Sequence, residues 1–383
     1  MTSQNNPFKY SHIVTGQSFC NRTEEQRTLM QCIRHSQNVL IYSHRRTGKS
    51  SLIKQVFENI RQQRLDIGMM YVDLYGTTSE KDFITQGFQQ IGSLESSMDK
   101  LFNIMKKSLQ FLPARIGIDP VTLLPTLTPE FQTVDKELPL KNLMDLVERF
   151  SRDRKLVIVF DEFQEIANYT EADAFEKRLR SFIQQHEHIS YIFSGSQQHM
   201  LTAMFHSQNR AFYQQAATLT LKEIRKKDYI PWLADRFAAA LHPVPKDRLS
   251  IIVEQFEGHP MYIQFFCFFL WEKLRDAPWH DELLQEVESL MINEKNLEYQ
   301  ILWDNLTGNQ KKTLKLVLTN HGKNLFTGEA LQQAEIKTAS IVTQCLKALI
   351  EKQVLVKNSR YVIQDVLLRK WLENMMSKST TPT

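Results

Sequence analysis

Two groups of residues in this chain have the types and spacing that polyphosphate chemistry needs. The first is Gly48-Lys49-Ser50, entered through Ser43, His44, Arg45, Arg46 and Thr47 and continued by Ser51. Successive N–H groups of such a loop, and the free N–H groups of a helix's first turn, converge on one anion, and the helix dipole adds to the attraction. Lys49 then reaches the β and γ phosphates, and the Ser50 hydroxyl is placed to ligate Mg²⁺. The second group is Asp161-Glu162, which ends the apolar run Leu156–Phe160. Asp161 can hold the Mg²⁺ shell opposite Ser50, while Glu162 orients and polarises an attacking water. Glu162 and Lys49 are thus the candidate catalytic residues, Ser50 and Asp161 the candidate metal ligands, and Ser43 to Ser51 the candidate phosphate cradle. Each group also has a plainer reading. Gly-Lys-Ser occurs in surface turns, and an acid at a helix start can serve as its cap. The first glycine of the full pattern is here Ser43, which brings a Cβ to a tight turn.

Both groups need a strand to deliver them and a helix to receive them. Val39–Tyr42 is a short apolar strand, and Leu52, Ile53, Val56, Phe57 and Ile60 recur at helical spacing after the loop. The run Leu156–Phe160 predicts a strand buried on both faces, as in a parallel sheet covered by helices. A carboxylate pair at its C-terminal end stands where open α/β sheets keep their ligands. Ile67–Leu74 predicts a further strand, and so do Ile189–Ser194 and Thr218–Leu221. The strand at Ile189 ends in Ser194-Gly195-Ser196, whose hydroxyls can touch a γ-phosphate or a water, or cap the next helix. Arg210 is a weaker candidate for a phosphate, its own or a neighbouring subunit's; a solvated surface arginine is the commoner outcome.

Residues 1–18 read as an irregular lead-in, followed by a helix to about His35 with Asn21 or Thr23 as its N-cap. A helical pattern runs from Ser79 to about Leu112. Prolines crowd the stretch from Leu112 to Pro139, which reads as a looped insertion without a fold of its own. Helices are expected at Leu140–Arg152 and Ala172–His186. From Lys222 the pattern is helical, at Glu223–Leu241, Lys246–Phe256 and Met261–Arg275, the last entered through Gly258-His259-Pro260. His259 can contact a nucleotide from such a lid, or be satisfied by backbone. The division expected is a core at 1–221 with its insertion at 112–139, a helical lid at 222–300, and a third module at 301–383.

That third module shows three helical patterns, then Val354–Val356 and Tyr361–Ile363 around Lys357-Asn358-Ser359-Arg360: a winged helix-turn-helix. Residues 307–372 carry 11 Lys and Arg against 4 Asp and Glu, a net of +7, so the rest of the chain sums to −3 of the overall +4. A basic module on a mildly acidic protein suits nucleic acid. The polar face Thr338, Ser340, Thr343, Gln344 and Lys347 suits a major groove, and Lys357 and Arg360 suit phosphates. Winged helices also serve as protein-binding and lid modules, so DNA and a protein partner both stand.

Composition bounds the rest. At 383 residues, 42% of them hydrophobic and 23% charged, the chain has the size of two or three globular domains. The four cysteines are scattered without metal-type spacing, as expected of reduced cytoplasmic thiols. The N-terminus lacks an apolar signal core, and the longest apolar stretch, Met261–Trp271, is too short to span a bilayer, so no membrane role is expected.

Together these residues resemble the archaeal-type ATPase family, of the STAND branch of P-loop NTPases, similar to AAA+ origin-recognition ATPases. The resemblance is carried by Phe19…Asn21-Arg22…Glu24-Glu25, by Arg45-Arg46-Thr47-Gly48-Lys49-Ser50, and by Asp161-Glu162-Phe163-Gln164. Ser194-Gly195-Ser196, Gly258-His259-Pro260 and the terminal winged helix near Asp365 and Trp371 complete it. Gln214 and Gln215 stand after Phe212-Tyr213, where the family pattern would carry an arginine finger. The resemblance implies a five-stranded parallel core with helices on both faces, a helical lid and a C-terminal winged helix. It also implies adenine as the base, with ATP and Mg²⁺ as ligands, Ser194, Ser196 and His259 near the nucleotide, and the potential to oligomerise. Two functions fit: a slow Mg²⁺-dependent ATPase that moves the winged helix, or a nucleotide-held DNA- or protein-binding regulator with little hydrolysis. A small-molecule kinase has little use for the separate tail.

Overall fold

The structure, a computed structural model, describes residues 5–43, 46–94, 114–118, 125–129, 138–239 and 242–379. These fall into two compact units, one of residues 11–224 and one joining the first ten residues to 225 onward.

The first unit is a helix–sheet–helix sandwich. Five strands, β1 (Val39–Tyr42), β2 (Ile67–Asp73), β5 (Lys155–Asp161), β6 (Ile189–Gly195) and β7 (Ala217–Thr220), lie in the order β2-β5-β6-β1-β7, all parallel. Strand alternation sorts their side chains into two cores. Val39, Ile41, Val157, Val159 and Ile192 pack against helices α1 (Thr23–Arg34) and α2 (Lys49–Gln62). On the other face Met70, Val72, Leu156, Ile158, Phe160 and Phe193 meet α3 (Glu80–Gln90), α4 (Leu138–Phe150), α5 (Ala172–Ile183) and α6 (Gln198–His206). Every strand therefore points its C-terminal end, and the residues just beyond, to one edge of the sheet.

Two expectations are corrected here. Helix α1 begins without a side-chain cap. Asn21 and Arg22 both take positive φ (48° and 53°), and the Thr23 hydroxyl donates to Asn21 rather than accepting a helix N–H. The insertion is not simply looped. β3 (Ala114–Ile118) and β4 (Pro125–Pro129) pair antiparallel, from Ala114↔Pro129 to Ile118↔Pro125. In a two-stranded ribbon each strand has an open edge, where prolines are tolerated. The helical pattern from Ser79 ends at Gln90 and passes into a 3₁₀ turn at Ile91–Leu94; its continuation to Leu112 lies outside the described residues, as do 119–124 and 130–137.

The second unit includes residues 5–10 of the lead-in, which are irregular as expected. They are nonetheless docked. Phe8 is buried with its ring 4.7 Å from that of Phe237, and Tyr10 stacks on Phe265 at 4.2 Å. The Lys9 N–H donates to Gln264 and the Asn6 amide to the Phe268 carbonyl. Aromatic side chains of α7 (Lys226–Ala239) and α9 (Pro260–Asp276) supply that groove. Between them α8 (Lys246–Gln255) is closed by Gly258, at φ 73° with its N–H on the Val253 carbonyl, and Pro260 opens α9. The apolar stretch from Met261 is the buried interior of α9; no helix among the described residues is long and apolar enough to cross a membrane.

Helix α10 (Leu283–Asp304) runs unbroken through position 300 into the winged helix. There α11 (Gly308–Thr319) starts in a capping box of Thr307 and Gln310, and α12 (Gly328–Gln333) and α13 (Ala339–Glu351) start at Thr327 and Thr338. The wing pairs β8 (Leu355–Lys357) with β9 (Tyr361–Ile363), and α14 (Val366–Ser379) follows. Helix α14 is clasped to the unit's other helices. Arg369 bonds Glu257 at 2.6 Å, Lys370 bonds Glu288 at 3.1 Å, and the Trp371 indole donates to Asn296 at 2.8 Å. None of the four cysteines is joined in a disulfide among the described residues.

Candidate nucleotide site

The loop leaving β1 turns into α2 at Gly48, whose φ of 94° disfavours any residue with a Cβ; the space beside it is open. The first N–H groups of α2, those of Lys49, Ser50 and Ser51, have no carbonyl partner within the helix. Ser43, the departure from the glycine pattern, is not in the left-handed region. Its hydroxyl spans the loop to the Thr47 hydroxyl, so the side chain ties the turn together instead of straining it. Lys49 is buried, its Nζ 3.5 Å from the Ser43 carbonyl, and Arg46 is exposed at φ 63°. The Ser51 hydroxyl accepts the Val14 N–H at 3.1 Å. His44 and Arg45 lie outside the described residues.

The sheet register brings the second group alongside. The Ser50 hydroxyl donates to Asp161 Oδ2 at 2.9 Å, and the Glu162 N–H donates to Asp161 Oδ1 at 3.0 Å. Glu162 takes φ 51°, which turns its side chain off the strand line. Its Oε2 accepts from Gln164 Nε2 at 2.6 Å, Ser196 N at 3.2 Å and Ser196 Oγ at 2.9 Å. Of the two serines expected at the end of β6, only Ser196 meets Glu162. Ser194 is fully buried and its hydroxyl has no hydrogen-bond partner among the described residues.

Several members of the site were not foreseen. Tyr71 on β2 donates its O–H to Asp161 Oδ2, the oxygen that also serves Ser50. Lys54, one turn beyond Ser50, sits 3.8 Å over the Tyr71 ring. Burial, with Asp161 beside it, pushes the Tyr71 phenol well up, so it remains a donor. Burial first, then Arg61, pulls the Lys54 ammonium down. Asp73 is in register with Asp161; burial, and then the nearby Asp161 and Glu162, raise its carboxyl. The polar alternation Tyr71, Asp73 at the end of an apolar strand was the signal available in the sequence. Arg22, quoted above only as part of a pattern, is a brace. It is buried and donates to the Thr47 carbonyl at 2.9 Å, fixing the loop from outside.

Arg210 is not a free surface arginine. Its guanidinium makes a two-pronged pair with Glu176 of α5, which has no exposed surface. Burial raises the Glu176 carboxyl and Arg210 opposes that shift. His259 belongs to the second unit, at the N-cap of α9 with its ring 4.7 Å from that of Tyr262.

The comparisons agree with this architecture. The family of ATPase domains predominantly from Archaea matches residues 19–266, and that of probable winged helix domains matches residues 297–374. No curated protein matches the chain. Among solved structures, the Walker-type ATPase of Pyrococcus abyssi is similar at TM-score 0.66 and 17% identity, covering 96% of this chain and 99% of its own. The Aeropyrum pernix ORC2 protein, in ADPNP–ADP complexes, is similar at 0.59 and 14% identity over 99% of each chain. The ORC1 protein of the same organism, in complex with DNA, is similar at 0.50 and 11% over 95% of each. At these identities the likeness is one of fold, whereas the family match spans most of the chain: this protein belongs to the family of ATPase domains found predominantly in Archaea, and carries a C-terminal winged helix.

Proposed function

We propose that the chain is a Mg²⁺-dependent ATP-binding and ATP-hydrolysing switch whose output is the winged helix. The observation that carries this reading is the Ser50–Asp161 bond at 2.9 Å, with Glu162 next in sequence and a buried Lys49 one residue before Ser50. The donor set fits magnesium. Among the described residues no group of three or more His, Cys, Asp or Glu side chains is arranged to hold a metal. Mg²⁺, however, needs only one or two protein oxygens beside phosphates and water, and a hydroxyl and a carboxylate supply them. When bound, the ion would neutralise the β and γ phosphate oxygens.

The chain's own residues do the rest. Lys49 and the first N–H groups of α2 hold the phosphates, with Gly48 allowing their close approach. Asp161, fixed by Tyr71 and by the Glu162 N–H, holds the metal-side geometry. Glu162 accepts a proton from the attacking water, and Ser196 orients it. Ser194 and His259 remain candidates for contacts made only with nucleotide present. Adenine specificity, membership of the STAND branch, a cytoplasmic setting and self-association rest on the resemblance and on the free thiols. Hydrolysis is expected to be slow, since Gln214 and Gln215 stand where the family pattern would carry an arginine finger. The output follows from the second unit, where α14 is tied to Glu257, just before Gly258-His259-Pro260, and to Glu288. Lid helices that respond to nucleotide therefore carry the winged helix with them. The test is Glu162→Gln, which should retain ATP binding and lose turnover by orders of magnitude; undiminished turnover would remove Glu162 from catalysis.

A second reading, a nucleotide-held DNA-binding regulator, is favoured by one surface. Thr338, Ser340, Thr343, Gln344 and Lys347 are all exposed along α13, and Lys357 and Arg360 are exposed on the wing. Binding of duplex DNA that weakens steeply with added salt, and less steeply after Lys357→Ala with Arg360→Ala, supports direct phosphate contact. Absence of binding at low salt would leave a protein as the partner.

A further inference from the structure

Gln164 does something that neither phosphate binding nor packing accounts for. Resting on the reading of Glu162 as the group that activates water, we propose that Gln164 is its positioning residue. The Gln164 amide pins one carboxylate oxygen so that the other is offered to the attacking water.

Gln164 is 1% exposed and lies just past the positive-φ turn at Glu162. Its Nε2 donates to Glu162 Oε2 at 2.6 Å, and that is the only hydrogen bond its side chain makes among the described residues. The amide oxygen is buried with no hydrogen-bond partner among the described residues. The reverse amide orientation would set two oxygens against each other, so the –NH₂ group faces Glu162. A buried amide with one end unsatisfied is costly, and a Leu or Met would fill the same space more favourably if packing were its purpose. The hydrogen bond to Glu162 is what distinguishes glutamine here.

The strand beside it leaves room for this arrangement. β6 ends in Gly195, where a Cβ would overlap the Gln164 amide oxygen and lie 3.0 Å from Leu201 Cδ1. With Gln164 on one side and Ser196 on the other, Oε2 carries three donors, and Oε1 has no hydrogen-bond partner among the described residues. A carboxylate held this way cannot swing toward Asp161 or the lysine of the loop. Its free oxygen is fixed in direction before substrate arrives, and preorganisation of that kind lowers the barrier without tightening ground-state binding.

The test uses the full chain with Mg²⁺ and ATP. Gln164→Met should lower kcat about 10- to 100-fold, the range of one hydrogen bond to a charged group, with the ATP Kd and the melting temperature unchanged. Gly195→Ala, which evicts the amide by a different route, should produce the same fall. In single-turnover assays on the Glu162→Gln background, Gln164→Met should produce no further loss, because its target is gone. Unchanged kcat in Gln164→Met, or an equal fall in both backgrounds, overturns the proposal. If Glu162→Gln itself keeps wild-type turnover, the reading of Glu162 fails and this proposal with it. If Glu162→Gln abolishes turnover while Gln164→Met does not, only the role of Gln164 fails.

Discussion

Replacing Arg210 separates a structural anchor from a catalytic arginine. Glu176 has no exposed surface, and Arg210 is the cation beside it. Removing one partner of a buried ion pair typically costs about 3–5 kcal/mol. Two features of this pair lower that figure. The Arg210 side chain is 34% exposed, so solvent already screens it. The orphaned carboxyl can also take up a proton, which from an ordinary glutamate near 4.3 costs at most about 3.7 kcal/mol at pH 7. Arg210→Met should therefore destabilise the first unit by about 2–3 kcal/mol, or about 4–12 °C in melting temperature for a domain of this size. The sign with pH follows from the same picture. Protonating Glu176 becomes cheaper as pH falls, so the deficit of the variant should shrink between pH 7 and pH 5 by about 1.4 kcal/mol per unit at most. Adding Glu176→Gln to Arg210→Met should recover most of the loss. Calorimetry of the three proteins, with turnover measured alongside, decides the matter. A variant that melts with the wild type yet loses turnover would refute the anchor and return Arg210 to the phosphate.

Three other outcomes are expected. His186, hydrogen-bonded to the Tyr191 hydroxyl at 2.6 Å, has its pKa lowered by burial from 6.5 to about 4. Its contribution is present above pH 6.5 and is lost as pH falls toward 4, about 3 kcal/mol in all; His186→Phe should flatten urea-unfolding stability across that window, and parallel pH profiles would contradict it. Tyr71→Phe removes a donor from Asp161 and should raise the Mg²⁺ concentration for half-maximal turnover about tenfold; an unchanged requirement would detach Tyr71 from the metal side. Phe8→Ala should destabilise the second unit by about 3 kcal/mol, the low end for a buried Phe, and expose residues 5–10 to protease; unaltered cleavage would mean the segment is not held by that ring.

Much of this site is legible in the sequence, because its parts are local. Val39–Tyr42 with Gly48-Lys49-Ser50, and Leu156–Phe160 with Asp161-Glu162, each state strand, turn and chemistry within about a dozen residues, and the structure joins them through Ser50 and Asp161. What could not be read depends on register between distant strands or on side chains far apart in the chain. Tyr71 meets Asp161 only because β2 pairs with β5. Gln164, Glu162 and Ser196 converge only because β6 lies beside β5 and ends in a glycine. Arg210 and Glu176 are 34 residues apart, with nothing in either neighbourhood to mark the pair. The docking of residues 5–10 and the pairing of 114–118 with 125–129 were obscured for a different reason. Polar residues and prolines argue against regular structure, yet one Phe can dock an irregular segment and an edge strand can tolerate proline. The start of α1 escaped because consecutive positive-φ residues replaced the expected cap.

The most direct test is phosphate release from ATP by the full chain, with Mg²⁺ and with excess chelator, for the wild type and for Asp161→Asn. Slow release that requires Mg²⁺ and falls by at least two orders of magnitude in Asp161→Asn is the expected result. Release that persists under chelation, or is equal in the two proteins, would contradict a hydrolytic site built on Ser50 and Asp161.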